Sequence, residues 1–285
     1  MRRLVTLLLL LLLAAPVSWV GARQVTLPVD DREAVRFAVI GDNGTGEPPQ
    51  YEVARQMLQA HATFPFEFVV MLGDNMYGSQ TPRDFLNKFE SPYGPLIRMK
   101  IPFFAVLGNH DEPTNRNYPG FNMGGQRYYS FVRGRARFFM FDTNFMDPKQ
   151  LDWIKEALRG SPDDWKIAVF HHPIYSDGDR HGPDLQLRVA LEPLLVEYGV
   201  DVVFSGHEHV YERIKPQKGI TYFVAGSSGQ LRKGGLTPSA ITAAGFDQDR
   251  AFLIVSVIGD EMFFQTLSRT GATVDAGVIR RRATS

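Results

Sequence analysis

Short apolar runs recur along the chain, and five of them stop at a glycine or a polar residue: RFAVIGDNG, FVVMLGDNMY, FFAVLGNHD, IAVFHHP and DVVFSGHEH. A continuous apolar run of this length, closed by a turn signal, is the pattern of a strand buried on both faces. Strands are therefore predicted over 36–40, 68–72, 103–107, 166–170 and 200–204. Residues 128–132 and 136–141 read as a hairpin around Arg133-Gly134-Arg135. Residues 220–225, 251–258 and 262–268 read as closing strands, with a tight turn at Gly259-Asp260. Apolar residues at helix-face spacing (Val53, Met57, Leu58) predict a helix over 51–61, after the interruption at Pro48-Pro49. Further helices are predicted over 84–99, broken near Pro92 and Pro95, over 148–159, ended by Gly160, and over 185–198, closed by Gly199. Residues 111–126 and 226–245 are rich in glycine with proline, asparagine or serine, and read as long loops. Strands first alternate with helices and then dominate. The expected class is α/β (α+β): two stacked mixed β-sheets with helices outside.

Composition narrows the field. The 285 residues are 44% hydrophobic, enough for one large core, and residues 23–285 are expected to form a single domain. Lys plus Arg equals Asp plus Glu at 31 each, so no basic surface for nucleic acid is implied. The run Arg280-Arg281-Arg282 reads as a solvated tail. At the other end, Arg2 and Arg3 precede an apolar stretch from Leu7 to Pro16, and Val20-Gly21-Ala22 offers small residues for cleavage. Residues 1–22 therefore read as a signal peptide, and the mature protein is expected to be secreted or periplasmic and monomeric. An uncleaved anchor, the only membrane contact in view, needs roughly 20 apolar residues, more than this core supplies. There is no cysteine, so any metal must be held by oxygen and nitrogen donors.

The polar residues at the ends of the apolar runs carry the chemistry. Asp42 and Asp74 each follow a glycine, which lets the backbone turn and present the carboxylate beyond the strand end. Asn109 adds a neutral amide oxygen, while His110 beside it points differently and suits an acid better than a ligand. His207 and His209, read as i and i+2 of an extended segment, would share one face and could reach two metals roughly 3.5–4 Å apart. His171 and His172 close the fourth run, His181 follows ten residues after His171, and His61 has no evident role.

Together, Gly41-Asp42-Asn43-Gly44, Gly73-Asp74-Asn75-Met76-Tyr77, Gly108-Asn109-His110-Asp111, Ala168-Val169-Phe170-His171 and Gly206-His207-Glu208-His209 resemble the five blocks of the calcineurin-like metallophosphoesterases. Tyr77 makes the chain most similar to the small, single-domain, tartrate-resistant purple acid phosphatases, over about residues 35–265. The resemblance implies an αββα sandwich and a two-metal site. Fe(III) would sit on Asp42, Tyr77 and His209; Fe(II), Zn or Mn would sit on Asn109, His171 and His207; and Asp74 would bridge. His110 and His181 would flank a substrate phosphate. The implied activity is acid phosphomonoester hydrolysis by a hydroxide held at the metals, with a phosphate ester as the partner. A diesterase of the same fold and a non-catalytic phospho-ligand-binding relative are the alternatives. Ala168 replaces a common valine, and His172 stands where the purple type often has tyrosine. No segment matches the protruding loop of the mammalian members. Asp111 is expected to orient His110 or to cap the following turn.

Overall fold

The computed structural model describes residues 27–28, 31–161 and 165–282. The leader expected over residues 1–22 lies outside the described residues. No helix among the described residues is long and apolar enough to cross a membrane.

Two mixed sheets stack face to face. The first contains, in chain order, β1 (Val35–Ile40), β2 (Phe68–Met71), β3 (Phe103–Ala105), β11 (Ala251–Ile258), β12 (Glu261–Ser268) and β13 (Thr273–Arg280). Their spatial order is β13-β12-β11-β1-β2-β3. The second contains β4 (Tyr129–Arg133), β5 (Ala136–Met140), β6 (Trp165–Val169), β7 (Val202–Ser205), β8 (Tyr211–Gln217), β9 (Ile220–Ala225) and β10 (Thr242–Phe246), in the order β10-β8-β9-β7-β6-β5-β4. In each sheet the central strands run parallel (β1, β2 and β3; β5, β6, β7 and β9), so their carboxyl ends share one rim.

Alternation within the apolar runs explains why both faces are covered. Phe37 and Val39 of β1 point between the sheets, where they meet Phe68, Val70, Phe138, Val169 and Phe204. Ala38 and Ile40 point outward and pack under Val53, Ala54 and Met57 of α1 (Pro48–Thr63). On the far side, Ala168, Phe170 and Val203 are covered by Ile154 and Leu158 of α4 (Pro148–Arg159) and by Leu187, Leu191 and Leu195 of α5 (Leu185–Glu197). Asp147 and Asp184 cap these two helices, each accepting the backbone N–H three residues on. The inter-sheet core is strongly aromatic. The Phe37 ring stacks on Phe68 at 5.4 Å and meets Phe138 edge-on at 5.1 Å. Phe37→Ala is expected to cost about 3–5 kcal/mol of folding stability, because the rings around the void belong to both sheets and collapse only partly. The midpoint and slope of urea unfolding check this.

The expected sandwich is present, with local differences. The helix expected from residue 51 starts at Pro48, since proline fits the first turn, where no amide needs a partner. The segment 84–99 is three pieces: α2 (Pro82–Phe85), a wide helical turn over Leu86–Glu90, and α3 (Gly94–Arg98). The loop expected over 111–126 holds two tight helical turns, Pro113–Asn117 and Pro119–Phe121. Three strands were not anticipated. β8 (YERIKPQ) carries charges and a proline, β10 (TAAGF) lies at the end of a glycine-rich stretch, and β13 is an edge strand with mostly half-buried residues.

Candidate metal centre

The rim formed by the carboxyl ends of the parallel strands gathers the candidate residues. Asp42 follows β1, Asp74 and Tyr77 follow β2, and Asn109 and His110 follow β3. His171 follows β6, and His207 and His209 lie between β7 and β8. The residues come from the strand ends of both sheets. The 207–209 segment is not extended. His207 has φ +70°, and the bend sends its ring one way and that of His209 another. Asp42 (φ +52°) and Asp74 (φ +50°) are also left-handed, a conformation that costs a non-glycine residue of order 1 kcal/mol and that surrounding structure must enforce. The chain approaches itself closely here. A methyl group on Gly108 would stand 2.2 Å from Asp74 Oδ1, so only glycine allows the 108–110 turn to close over that carboxylate.

Two donor groups result. In the first, Tyr77 Oη lies 3.1 Å from Asp42 Oδ1, 2.9 Å from Asp74 Oδ2 and 3.1 Å from His209 Nε2. In the second, His171 Nε2 lies 3.0 Å from Asn109 Oδ1, 3.2 Å from His207 Nδ1 and 3.5 Å from Asp74 Oδ1. Asp74 thus offers one oxygen to each group. Several partners fix these side chains from behind. His171 Nδ1–H donates to the Leu72 carbonyl at 2.9 Å, which leaves the Nε2 lone pair facing inward. The His207 amide donates to Asp42 Oδ2 at 2.9 Å, and the His110 amide to Asp74 Oδ1 at 2.8 Å.

The electrostatics suit a cation. Burial drives the Asp42 carboxyl well above the usual carboxylate range; His171 opposes the shift and Asp74 adds to it. Burial, then the two aspartates, likewise raises the Tyr77 phenol. Burial holds His207 down at about 2, reinforced by His171, and burial followed by the Arg232 charge lowers His209. Burial thus pushes the carboxyl and the phenol toward their protonated forms and the imidazoles toward their neutral ones, and a cation among these atoms would displace the acidic protons. Hard oxygen donors mixed with neutral imidazoles match iron, zinc or manganese, so the donor set fits two such ions.

His110 and His181 flank this cage. The exposed His110 ring lies 4.7 Å from the Tyr77 ring, and the exposed His181 ring 4.2 Å from that of His207. His172 also approaches. One of its nitrogens lies within 4.8 Å of donors of His171 and His207, its Nδ1 meets Thr143 Oγ1 at 2.9 Å, and burial, followed by His171, keeps it neutral with a pKa pushed down to about 4.

Other contributors carry little sequence signal. Asp111 neither contacts the His110 ring nor caps a following helix. It is buried, and it accepts the amides of Gly108, Asn75 and Met76 at 2.9–3.1 Å, tying the two loops that bear Asp74 and Asn109 together. Burial outweighs those amides and pushes its pKa up to about 7. Asn144 donates to the Gly108 carbonyl at 2.9 Å and steadies the same turn. Arg232 comes from the glycine-rich 226–245 stretch, and its amide donates to the His209 carbonyl at 2.9 Å. Asp111 and Glu208 were both visible in motifs, and nothing in GHEH says which way the Glu208 side chain goes.

Comparison with known proteins gives the family. Residues 35–211 match the family model described as calcineurin-like phosphoesterase. Purple acid phosphatase 3 of Arabidopsis thaliana is 30% identical over 265 residues, covering 80% of this chain and 72% of the relative. Tartrate-resistant acid phosphatase type 5 of mouse is 26% identical over 268 residues, covering 74% and 80%. Among solved structures, GAP50, the anchor in the inner membrane complex of Plasmodium, superposes with a TM-score of 0.76 at 22% identity, covering 88% of this chain and 90% of the other.

Proposed function

We propose, from the premise that this chain belongs to the calcineurin-like phosphoesterase family, that it is an exported binuclear acid phosphatase acting on phosphomonoesters. Asp42, Tyr77 and His209 would hold a first cation, Asn109, His171 and His207 a second, and Asp74 would bridge them. The observation that carries the proposal is the Tyr77 hydroxyl, within 3.1 Å of Asp42, Asp74 and His209. A phenol has a pKa near 10, so only a strongly polarising ion would hold it as phenolate in acid. Fe(III) is the natural occupant of that position, with Fe(II), zinc or manganese at the other. Two such cations supply neutralisation of the phosphate oxygens and activation of water below neutral pH.

The protein's own side chains do the rest. Asn109 donates an oxygen without adding negative charge, which leaves the second position more attractive to an anionic ester. His110 and His181 stand on the open side, where they would contact the phosphate and, as imidazolium, protonate the leaving oxygen. Export rests on the leader pattern of residues 1–22, and a mature chain starting at residue 23 by intact mass would bear it out.

The test is elemental analysis and an optical spectrum of the as-isolated protein, with hydrolysis of p-nitrophenyl phosphate and of its bis-ester side by side. Two ions per chain, a visible phenolate-to-iron band that Tyr77→Phe removes, and faster turnover of the monoester are expected. A colourless, fully metallated, active protein would exclude Fe(III) on Tyr77. Preference for the bis-ester would make the protein a diesterase, and a fully metallated protein inert to both would make it a binding relative.

A further inference from the structure

Glu208 sits between two candidate ligands, and nothing in the two-cation reading uses it. The rings of His207 and His209 face the donor groups, and the Glu208 side chain is fully buried elsewhere, at 0% exposure. A carboxylate there needs strong compensation. Among the described residues it has no ion pair. Its Oε2 has no hydrogen-bond partner, while Oε1 accepts the backbone N–H of His181 and that of Gly182, the latter at 2.7 Å. The turn that carries these amides closes tightly over the carboxylate. A Cβ on Gly178 would stand 2.6 Å from Glu208 Cδ and 2.7 Å from Oε2.

The remainder of that turn is held at its start and at its end, not at His181. The Ser176 hydroxyl and the Asp177 amide donate to Glu212 Oε2 at 3.1 and 2.9 Å, and the Asp179 amide donates to the Gly235 carbonyl at 2.9 Å. From residue 180 to residue 183 the Glu208 carboxylate is the acceptor that takes backbone amides of the turn, those of residues 181 and 182, and beyond them the Asp184 amide donates to the Pro173 carbonyl at 2.8 Å. The His181 side chain is exposed, so packing does little to fix it, yet its ring lies 4.2 Å from that of His207. The placement of that ring follows from where its backbone is pinned.

We propose that Glu208 is a positioning residue for His181: its carboxylate pins the amides of residues 181 and 182 and thereby holds the His181 imidazole against the substrate side of the cage. The proposal rests on the reading above for its catalytic meaning, though not for the pinning itself. The middle residue of the GHEH block thus works on a different wall of the site from the two histidines beside it. Glutamine keeps an oxygen that can accept both amides, and alanine leaves both without an acceptor.

The experiment uses the full-length, metal-loaded protein and four variants: Glu208→Gln, Glu208→Ala, His181→Ala and the Glu208→Ala/His181→Ala double. Metal content, amide hydrogen exchange at residues 178–182, and kcat and KM for phenyl phosphate are measured on each. Glu208→Ala is expected to keep both ions, to lose protection at residues 181 and 182, and to lower kcat/KM by on the order of 10- to 100-fold, the cost of a misplaced group. The loss should match that of His181→Ala, and the double variant should be no worse than either single, as for two residues acting as one unit. Glu208→Gln should restore protection and most of the activity. Multiplicative losses in the double variant, unchanged exchange at residues 181 and 182, or a Glu208→Gln as impaired as Glu208→Ala would each overturn the proposal. If Glu208→Ala does not fold, Gly178→Ala, whose methyl displaces the carboxylate from the turn, replaces it in the same cycle. A wild type that hydrolyses no ester refutes the phosphatase reading alone, because amide exchange still decides the pinning.

Discussion

Asp74→Ala is expected to bind neither cation and to hydrolyse phosphate esters slower by on the order of 10³-fold or more, since losing even a single well-placed electrostatic contact can cost 10²–10³-fold. The reason lies in its two oxygens. Oδ2 stands 2.9 Å from Tyr77 Oη in one donor group, and Oδ1 stands 3.5 Å from His171 Nε2 in the other. Oδ1 also accepts the His110 amide at 2.8 Å, so the truncation frees the turn that carries His110 and Asn109. Asp74→Asn is the informative companion. Asparagine tolerates the left-handed backbone at this position and can keep the amide contact while the charge is gone. Metal stoichiometry by mass spectrometry, measured beside the rate, separates the effects. An Asp74→Ala protein that retains one ion and substantial activity would remove Asp74 from the bridging position.

His110→Ala is expected to keep both ions and yet to lose about 10²- to 10⁴-fold in kcat, the range typical of a missing general acid. Its ring lies beside that of Tyr77 at 4.7 Å, and its backbone, not its side chain, hydrogen-bonds to Asp74. Removing the imidazole therefore leaves the cage intact. The loss should be greatest for alkyl phosphates, whose departing alkoxide needs a proton, and least for p-nitrophenyl phosphate, whose phenolate leaves unaided. Rates across a series of leaving groups provide the check. A uniform loss across the series would contradict the acid role and leave His110 as a phosphate contact.

Much of the architecture was legible because buried parallel strands write themselves as unbroken apolar runs. β1, β2, β3, β6 and β7 all do so, and each ends where a turn residue presents a donor. Strands at or near an edge do not. β8 mixes Tyr211 and Ile214 with Glu212, Arg213 and Lys215, and Asp275 is the one buried residue of β13, so neither carries an apolar run. The candidate donors were legible because they follow those runs. What the sequence hid is direction. An extended reading of His207-Glu208-His209 put both rings on one face, whereas a left-handed His207 splits them between two donor groups. Asp111 was hidden for the same reason. Its chemistry was evident, but its partners, the amides of Gly108, Asn75 and Met76, belong to two loops that only the fold brings together.

The donors straddle the boundary between the two layers. Asp42, Asp74, Tyr77 and Asn109 hang from one sheet, and His171, His207 and His209 from the other. Bound ions at this rim would act as rivets through the sandwich, and neither layer could shear past the other without tearing them out. Occupancy and cohesion then become one thermodynamic quantity, and tight loading lends the folded state a few kcal/mol, about 2.7 when free ion stands at 100 times its Kd. Endurance of the fold and readiness to react would then rise and fall together with the supply of metal.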